Sequence, residues 1–131
     1  MKRDKWDSLF SRYIKLLSGG YCKRCGKFLG LYSQGLHCAH WQSRGEWTTR
    51  YEKDNACALC YGCHSYLDHN PKGMEEKDEL FFRILGTKRA NEILELSEKT
   101  LKDLGLTKKT LREKVEKDLR PKIKLLTGVN E

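Results

Sequence analysis

The sequence predicts an α+β fold: a small zinc-stapled core preceded by one helix and followed by a helical layer. Two observations predict it. Cys22-Lys-Arg-Cys25 and Cys60-Tyr-Gly-Cys63 are close cysteine pairs, and each two-residue gap lets both sulfurs of a pair reach one ion from a tight turn, as a tetrahedral structural Zn²⁺ requires. The apolar pattern is helical before residue 20, strand-like over 36–51 and helical again afterwards. With 131 residues, 38% hydrophobic and 34% charged, the chain can bury one modest core with help from a metal. The expected organisation is an N-terminal helix in 1–20, a zinc-bound core in 21–72 and a helical extension in 73–131.

Trp6, Leu9, Phe10, Tyr13, Ile14 and Leu17 repeat at helical spacing, and Ser18-Gly19-Gly20 ends the pattern. Gly26 suits the tight turn after Cys25. Leu36–Trp41 and Glu46–Tyr51, separated by Gln42-Ser43-Arg44-Gly45, read as a hairpin that would pair Trp41 with Trp47 across its strands. Asp54-Asn55 is a loop or cap, and 56–67 reads as a helix carrying the second cysteine pair and His64 until Asn70-Pro71 stops it. Cys57, Cys60 and Cys63 make two overlapping C-x-x-C pairs, and composition alone does not choose between them.

Further on, Glu75–Leu85 reads as a helix ended by Gly86, and Thr87 as the cap of a helix with Ala90, Ile93, Leu94 and Leu101 inside. Thr107 opens a final helix with Leu111, Val115, Leu119, Ile123 and Leu126 on one side, which Pro121 should kink or split. That stripe reads as packing surface, with a DNA-tracking basic tail as its competitor.

The net charge of +8 is uneven: +7 over residues 1–53, −3 over 54–107 and +4 over 108–131. Basic ends attract a polyanion, and nucleic acid is the commonest in the cytosol. No apolar run approaches the roughly 20 residues needed to span a bilayer, and Met1-Lys-Arg-Asp-Lys-Trp6 has no signal-peptide character. A cytoplasmic protein without membrane contact is expected. Reduced thiolates on a metal are favoured there over disulfides, with an iron-sulfur cluster as the other metal option.

The order of a cysteine pair, His40, Asn55, a second cysteine pair and His64 resembles the HNH, or ββα-metal, nucleases. In these a strand histidine, a loop asparagine and a helix residue surround one catalytic metal. Within that class, Asp7-Ser-Leu-Phe-Ser-Arg-Tyr-Ile-Lys-Leu16, Ala39-His40-Trp-Gln-Ser-Arg44-Gly45, Arg50-Tyr51 with Asp54-Asn55, and Cys60-Tyr-Gly-Cys63-His64 are similar to the phage NinG (Rap) recombination endonucleases. The resemblance covers residues 4 to about 97. It implies a zinc-stapled, treble-clef-like ββα-metal core, favours Cys60 with Cys63 as the second pair, and implies a cytoplasmic protein encoded by phage or bacterial host.

It also implies roles. His40 would be the general base that takes a proton from the attacking water, since imidazole titrates near neutrality. His64 would hold a catalytic Mg²⁺ or Mn²⁺ that neutralises charge on the phosphoryl and leaving 3′ oxygens. Asn55 would pin the loop and aim His40, while Arg44 and Arg50 would contact phosphate. Cys22, Cys25, Cys60 and Cys63 would hold the structural zinc. Ala39 departs from the pattern, because many HNH sites carry a second metal ligand just before the base. His37 is not expected to replace it, standing on the opposite strand face from His40, whereas Cys38 shares the His40 face as a buried thiol. Cys57 reads as a core thiol and His69 as a helix-end residue facing solvent.

The expected function is thus metal-dependent DNA cleavage, extending through the NinG resemblance to branched recombination intermediates; symmetrical cutting of two strands would call for a homodimer. A non-catalytic zinc-stapled DNA-binding module is the alternative, and a protein-interaction adaptor using the C-terminal helix is the third class.

Overall fold

The computed structural model describes residues 2–128. Helix α1 (Lys5–Ser18) begins where the Asp4 carboxylate accepts from the Asp7 amide and the Asp7 carboxylate accepts in return from the Asp4 amide, a reciprocal cap that satisfies two otherwise orphaned donors. It ends at Gly19, whose φ of 65° suits the left-handed closure of a helix. Strand β1 (Leu36–His40) pairs antiparallel with β2 (Ala56–Cys60), placing Leu36 opposite Cys60 and His40 opposite Ala56. Helix α2 (Tyr61–His69) follows β2 directly; α3 (Pro71–Leu85), α4 (Thr87–Ser97) and α5 (Lys108–Thr127) complete a mostly helical α+β chain. No described helix is long and apolar enough to cross a membrane.

The hairpin differs from the sequence expectation. The partner of β1 is 56–60, read from sequence as helix, while 46–51 forms successive turns closed by Thr49 N–H to Glu46 O and Glu52 N–H to Thr49 O. The reason lies in packing. Ala56, Cys57, Ala58 and Leu59 are all buried, so β2 lacks the in–out alternation of a half-exposed strand, and its small side chains let layers close on both faces. Trp41 and Trp47 consequently do not pair. The Trp41 ring stacks on Phe81 at 5.2 Å and its indole N–H reaches Asp78 at 2.8 Å, whereas Trp47 lies under the Arg50 guanidinium.

The sheet separates two cores. On one face Ala39, Trp41, Cys57 and Leu59 pack with Leu67 of α2, Leu80 and Phe81 of α3, and Ala90 and Ile93 of α4. On the other, Ala56 meets Phe10, Tyr13 and Ile14 of α1 and Val115, Leu119 and Ile123 of α5. The C-terminal stripe is therefore packing surface, apart from Leu126, which is exposed. Helix α5 runs unbroken through Pro121. That residue faces solvent, so water can satisfy the carbonyl that its missing N–H leaves unpaired. Gly86 rather than Thr87 occupies the N-cap of α4, and Leu101 lies beyond that helix, before the 3-10 turn Lys102–Leu104. Asn70 ends α2 and caps α3 through its side chain, with Pro71 as the first helical residue, so α3 begins two residues ahead of the expected boundary at 73.

Helix α3 crosses α2 so closely at Gly73 that a Cβ there would stand 2.0 Å from the Tyr66 carbonyl oxygen. A mid-helix Gly→Ala change ordinarily gains about 1 kcal/mol, but overpacking against backbone costs about 1–3 kcal/mol or more. Gly73→Ala should therefore lower the midpoint of urea unfolding. A second expectation concerns acid. Burial alone would raise the Asp4 carboxyl, but the Asp7 amide, Arg112 and Tyr51 outweigh it and hold the pKa at about 2 against an ordinary 3.8. A depressed carboxylate contributes stability that is complete above its unfolded pKa and is lost as pH falls through the folded one. Between pH 5 and 2 the wild type should lose more thermal stability than Asp4→Asn, as calorimetry would show.

Candidate functional site

Four cysteines converge at one end of the sheet. The sulfurs of Cys22, Cys25, Cys60 and Cys63 all lie within 4.8 Å of one another, the one such convergence of three or more ligand side chains among the described residues. Two short structures build it. The Tyr21–Phe28 bridge brackets the first pair, with Gly26 N–H closing onto Cys22 O; the second pair spans the end of β2 and the first turn of α2, where Cys63 N–H points at Cys60 Sγ, 3.4 Å away. Lys23 N–H to Ala58 O at 2.8 Å ties the two together. The Cys25–Cys60 sulfur separation of 3.9 Å is close to the roughly 3.8 Å that tetrahedral Zn–S bonds of about 2.3 Å imply.

The charges also suit a dication. Burial opposes ionisation of Cys22, but amides of Cys25, Cys60 and Arg24 bring its thiol down to about 6. Burial and the neighbouring thiols of Cys60, Cys22 and Cys25 push Cys63 up to about 12, against the pull of Arg24. Four thiolates this close need a cation, and Zn²⁺ fits. Arg24 braces the cluster: its Nη1 reaches Cys63 Sγ at 3.3 Å, its other nitrogens hold Glu76 of α3, and its plane lies over Tyr66. Cys57 stands outside the cluster as a buried core thiol, held up to about 12 by burial, which resolves the overlapping pairs in favour of Cys63.

His40 sits at the end of β1 beside Phe10. Its Nε2 is 2.8 Å from the Arg50 carbonyl; a carbonyl only accepts, so Nε2 carries the proton and Nδ1 keeps the lone pair. Burial lowers the His40 pKa, with the Arg50 carbonyl opposing, so the ring is neutral at pH 7. The loop 41–55 that brings Arg50 to it is closed by Asn55, which is fully buried. The Asn55 Oδ1 accepts from Gln42 N at 2.8 Å, while its Nδ2 donates to the carbonyls of Gln42 and Thr49 at 3.0 and 3.1 Å.

Arg50 itself is placed differently from the expectation of a phosphate contact. Its side chain is 2% exposed and grips the Asp7 carboxylate with two hydrogen bonds of 2.9 and 2.6 Å, with a further bond to Arg44 O. A guanidinium committed in this way positions backbone. Arg44 is only partly buried, lies 3.5 Å from Asp7 and faces the cavity described next.

That cavity, about 500 Å³, is lined by His40, Arg44, His64, Asp68, Lys77 and Arg3 among others. Cys38 also faces it, a thiol held up to about 12 by burial. His64 Nε2 stands 2.9 Å from Asp68 Oδ2, one helical turn on, and Lys77 of α3 holds the other carboxylate oxygen at 2.7 Å. Burial lowers the His64 pKa against the pull of Asp68, leaving a neutral imidazole able to ligate a metal. Its Nδ1 meets His37 Nδ1 at 2.9 Å. The strand offset does put His37 on the opposite face from His40, but that is the face on which α2 packs, so His37 reaches His64 after all. For a catalytic cation the protein offers imidazole nitrogen from His64, while Asp68, held by His64 Nε2 and Lys77, orients that ring. Such a donor fits a transition ion including Mn²⁺, whereas Mg²⁺ prefers an oxygen shell.

Asp68 and Lys77 join the site without a motif of their own in the sequence. The signal for Asp68 was its spacing of four from His64, meaningful once both lie on one helix; Lys77 had none, because α3 delivers it by tertiary packing. No family model, curated protein or solved structure matches the chain.

The four-cysteine site gives a direct test. Purified protein should carry one zinc per chain by mass spectrometry. Cys22→Ser and Cys63→Ser should lose it and unfold at markedly lower temperature, as should wild type with a strong chelator, while Cys57→Ala should keep full zinc content.

Proposed function

We propose that this chain is a metal-dependent DNA endonuclease of the HNH (ββα-metal) class. One observation supports the reading most: a neutral histidine, His40, with one nitrogen committed to a carbonyl and the other holding its lone pair, lines a cavity with Arg44, Lys77 and the His64–Asp68 pair. General base, metal ligand and cationic side chains thus surround one space large enough for a phosphodiester. A second depression, sharing Arg3 and Ser11 with the first, runs past Arg12, Lys15 and the exposed Tyr32, which supplies charge and an aromatic face for a strand leading into the cavity.

In this reading His40 Nδ1 takes the proton from the attacking water, and the Arg50 carbonyl stabilises the imidazolium that results. Asn55 keeps loop 41–55 closed so that the carbonyl stays in place. Arg44 and Lys77 orient the phosphate and offset its charge. A divalent cation bound at His64 supplies Lewis-acid stabilisation of the phosphoryl and leaving oxygens. Branched recombination intermediates are the proposed substrates, through the NinG resemblance. The competing reading, a zinc-stapled DNA-binding module without catalysis, is favoured by Ala39, which is fully buried and offers no ligand beside the base.

Incubation with supercoiled plasmid and a synthetic four-way junction, with Mn²⁺, Mg²⁺ or EDTA, tests the proposal. Scission should require metal and fall at least 100-fold in His40→Ala and His64→Ala, both retaining zinc. Intact DNA under every metal, with a shifted band in a gel, would establish the binding module instead. The pH profile carries a further expectation. Because burial lowers the His40 pKa, the base stays unprotonated as pH falls below the ordinary 6.5, so the acidic limb of single-turnover cleavage should lie below that value.

A further inference from the structure

Two imidazoles from different elements meet face to edge beside the cavity. His37 belongs to β1 and His64 to α2; their Nδ1 atoms are 2.9 Å apart and their ring planes stand at 83°. The far nitrogen of His64, Nε2, is 2.9 Å from Asp68 Oδ2. A carboxylate only accepts, so Nε2 carries the proton and Nδ1 presents its lone pair toward His37. This is the carboxylate–histidine arrangement by which proteins fix the tautomer and raise the basicity of a metal-ligating imidazole.

We propose that His37 and His64 together form a second metal site, distinct from the four cysteines, that takes one first-row divalent cation with a preference for nitrogen ligands, such as Ni²⁺, Co²⁺ or Zn²⁺. The separation fits. Two nitrogens bound at about 2.05 Å lie about 2.9 Å apart at a right angle and about 3.4 Å apart in a tetrahedron. His37 needs only to move its proton from Nδ1 to Nε2. Room for the remaining ligands comes from an open depression of about 230 Å³, bounded by the two histidines, Tyr61, Ser65, Asp68 and His69. His64 and Asp68 line both this depression and the His40 cavity, so the cation would sit at the wall they share.

The site supplies the ligand that Ala39 cannot, from two residues earlier on the same strand face. Cation binding stands on this geometry alone, whereas use of the cation in cleavage rests on the nuclease reading. Two imidazole nitrogen donors also set a selectivity: affinity should follow Ni²⁺ above Co²⁺ above Mn²⁺, with Mg²⁺ weakest, since Mg²⁺ retains its waters and prefers oxygen.

Isothermal titration of the full chain, its cysteine site already filled with zinc, reads the proposal directly. Wild type should take up one Ni²⁺ per chain. His37→Ala and His64→Ala should each weaken binding at least tenfold while keeping zinc content and melting temperature, and Asp68→Asn should weaken it about tenfold through the lost tautomer lock. Absence of Ni²⁺ uptake, or uptake indifferent to His37→Ala, would overturn the site and leave an ordinary imidazole–imidazole hydrogen bond. The plasmid assay separates this outcome from that of the nuclease reading. Ni²⁺ binding dependent on His37 without scission sinks only the enzyme, and metal-dependent scission without His37-dependent Ni²⁺ uptake sinks only the two-histidine site.

Discussion

The buried pair of Asp7 and Arg50 is the constraint on which the arrangement around His40 depends. Taking both charges out of water is expensive, and removing one partner alone typically costs about 3–5 kcal/mol because the other is left uncompensated. Here the cost is offset by geometry: two parallel hydrogen bonds, a third from Arg50 to the Arg44 carbonyl, and the indole of Trp47 against the guanidinium plane. Asp7 also caps α1, so one carboxylate fixes the start of a helix and the far end of a loop. The Arg50 carbonyl then fixes the tautomer of His40. Helix cap, loop and imidazole form one mechanical unit, reaching from residue 4 to residue 50.

How legible this was in the sequence varied with distance along the chain. The cysteine pairs were readable because a two-residue gap is itself the local chemistry, and α1 because its apolar residues recur at helical spacing between a cap and a glycine. Strand β2 was not. Ala56 to Cys60 are small or helix-favouring residues whose extended conformation is imposed by burial from both sides, a tertiary effect that propensity does not carry. Arg50 departs from expectation for a related reason, since nothing near it in sequence announces a carboxylate supplied by residue 7. For His37 strand periodicity specifies the face, while the helix that covers that face, α2, is set by tertiary packing.

The two cores have different closures. On the α2 side, apolar packing is reinforced where the cysteine cluster is braced by Arg24 and Glu76, joining that cluster to α3. On the α1 side there is no such cluster among the described residues, and closure depends on apolar contacts with α5 and on the polar seam of Asp4, Tyr51 and Arg112. The proposed site therefore has its metal-binding half on the side anchored by cysteine and its base on the side anchored by helix packing.

That second closure has a bearing on how the chain is made. Phe10, Tyr13 and Ile14 leave the ribosome well ahead of Val115, Leu119 and Ile123, which cover them and are synthesised about a hundred residues later. At roughly 5–20 residues per second, several seconds pass in which a greasy stripe flanked by lysine and arginine stands open. During that interval the apolar face of α1 lacks its native cover, and the order of synthesis makes α5 the element that ends the exposure.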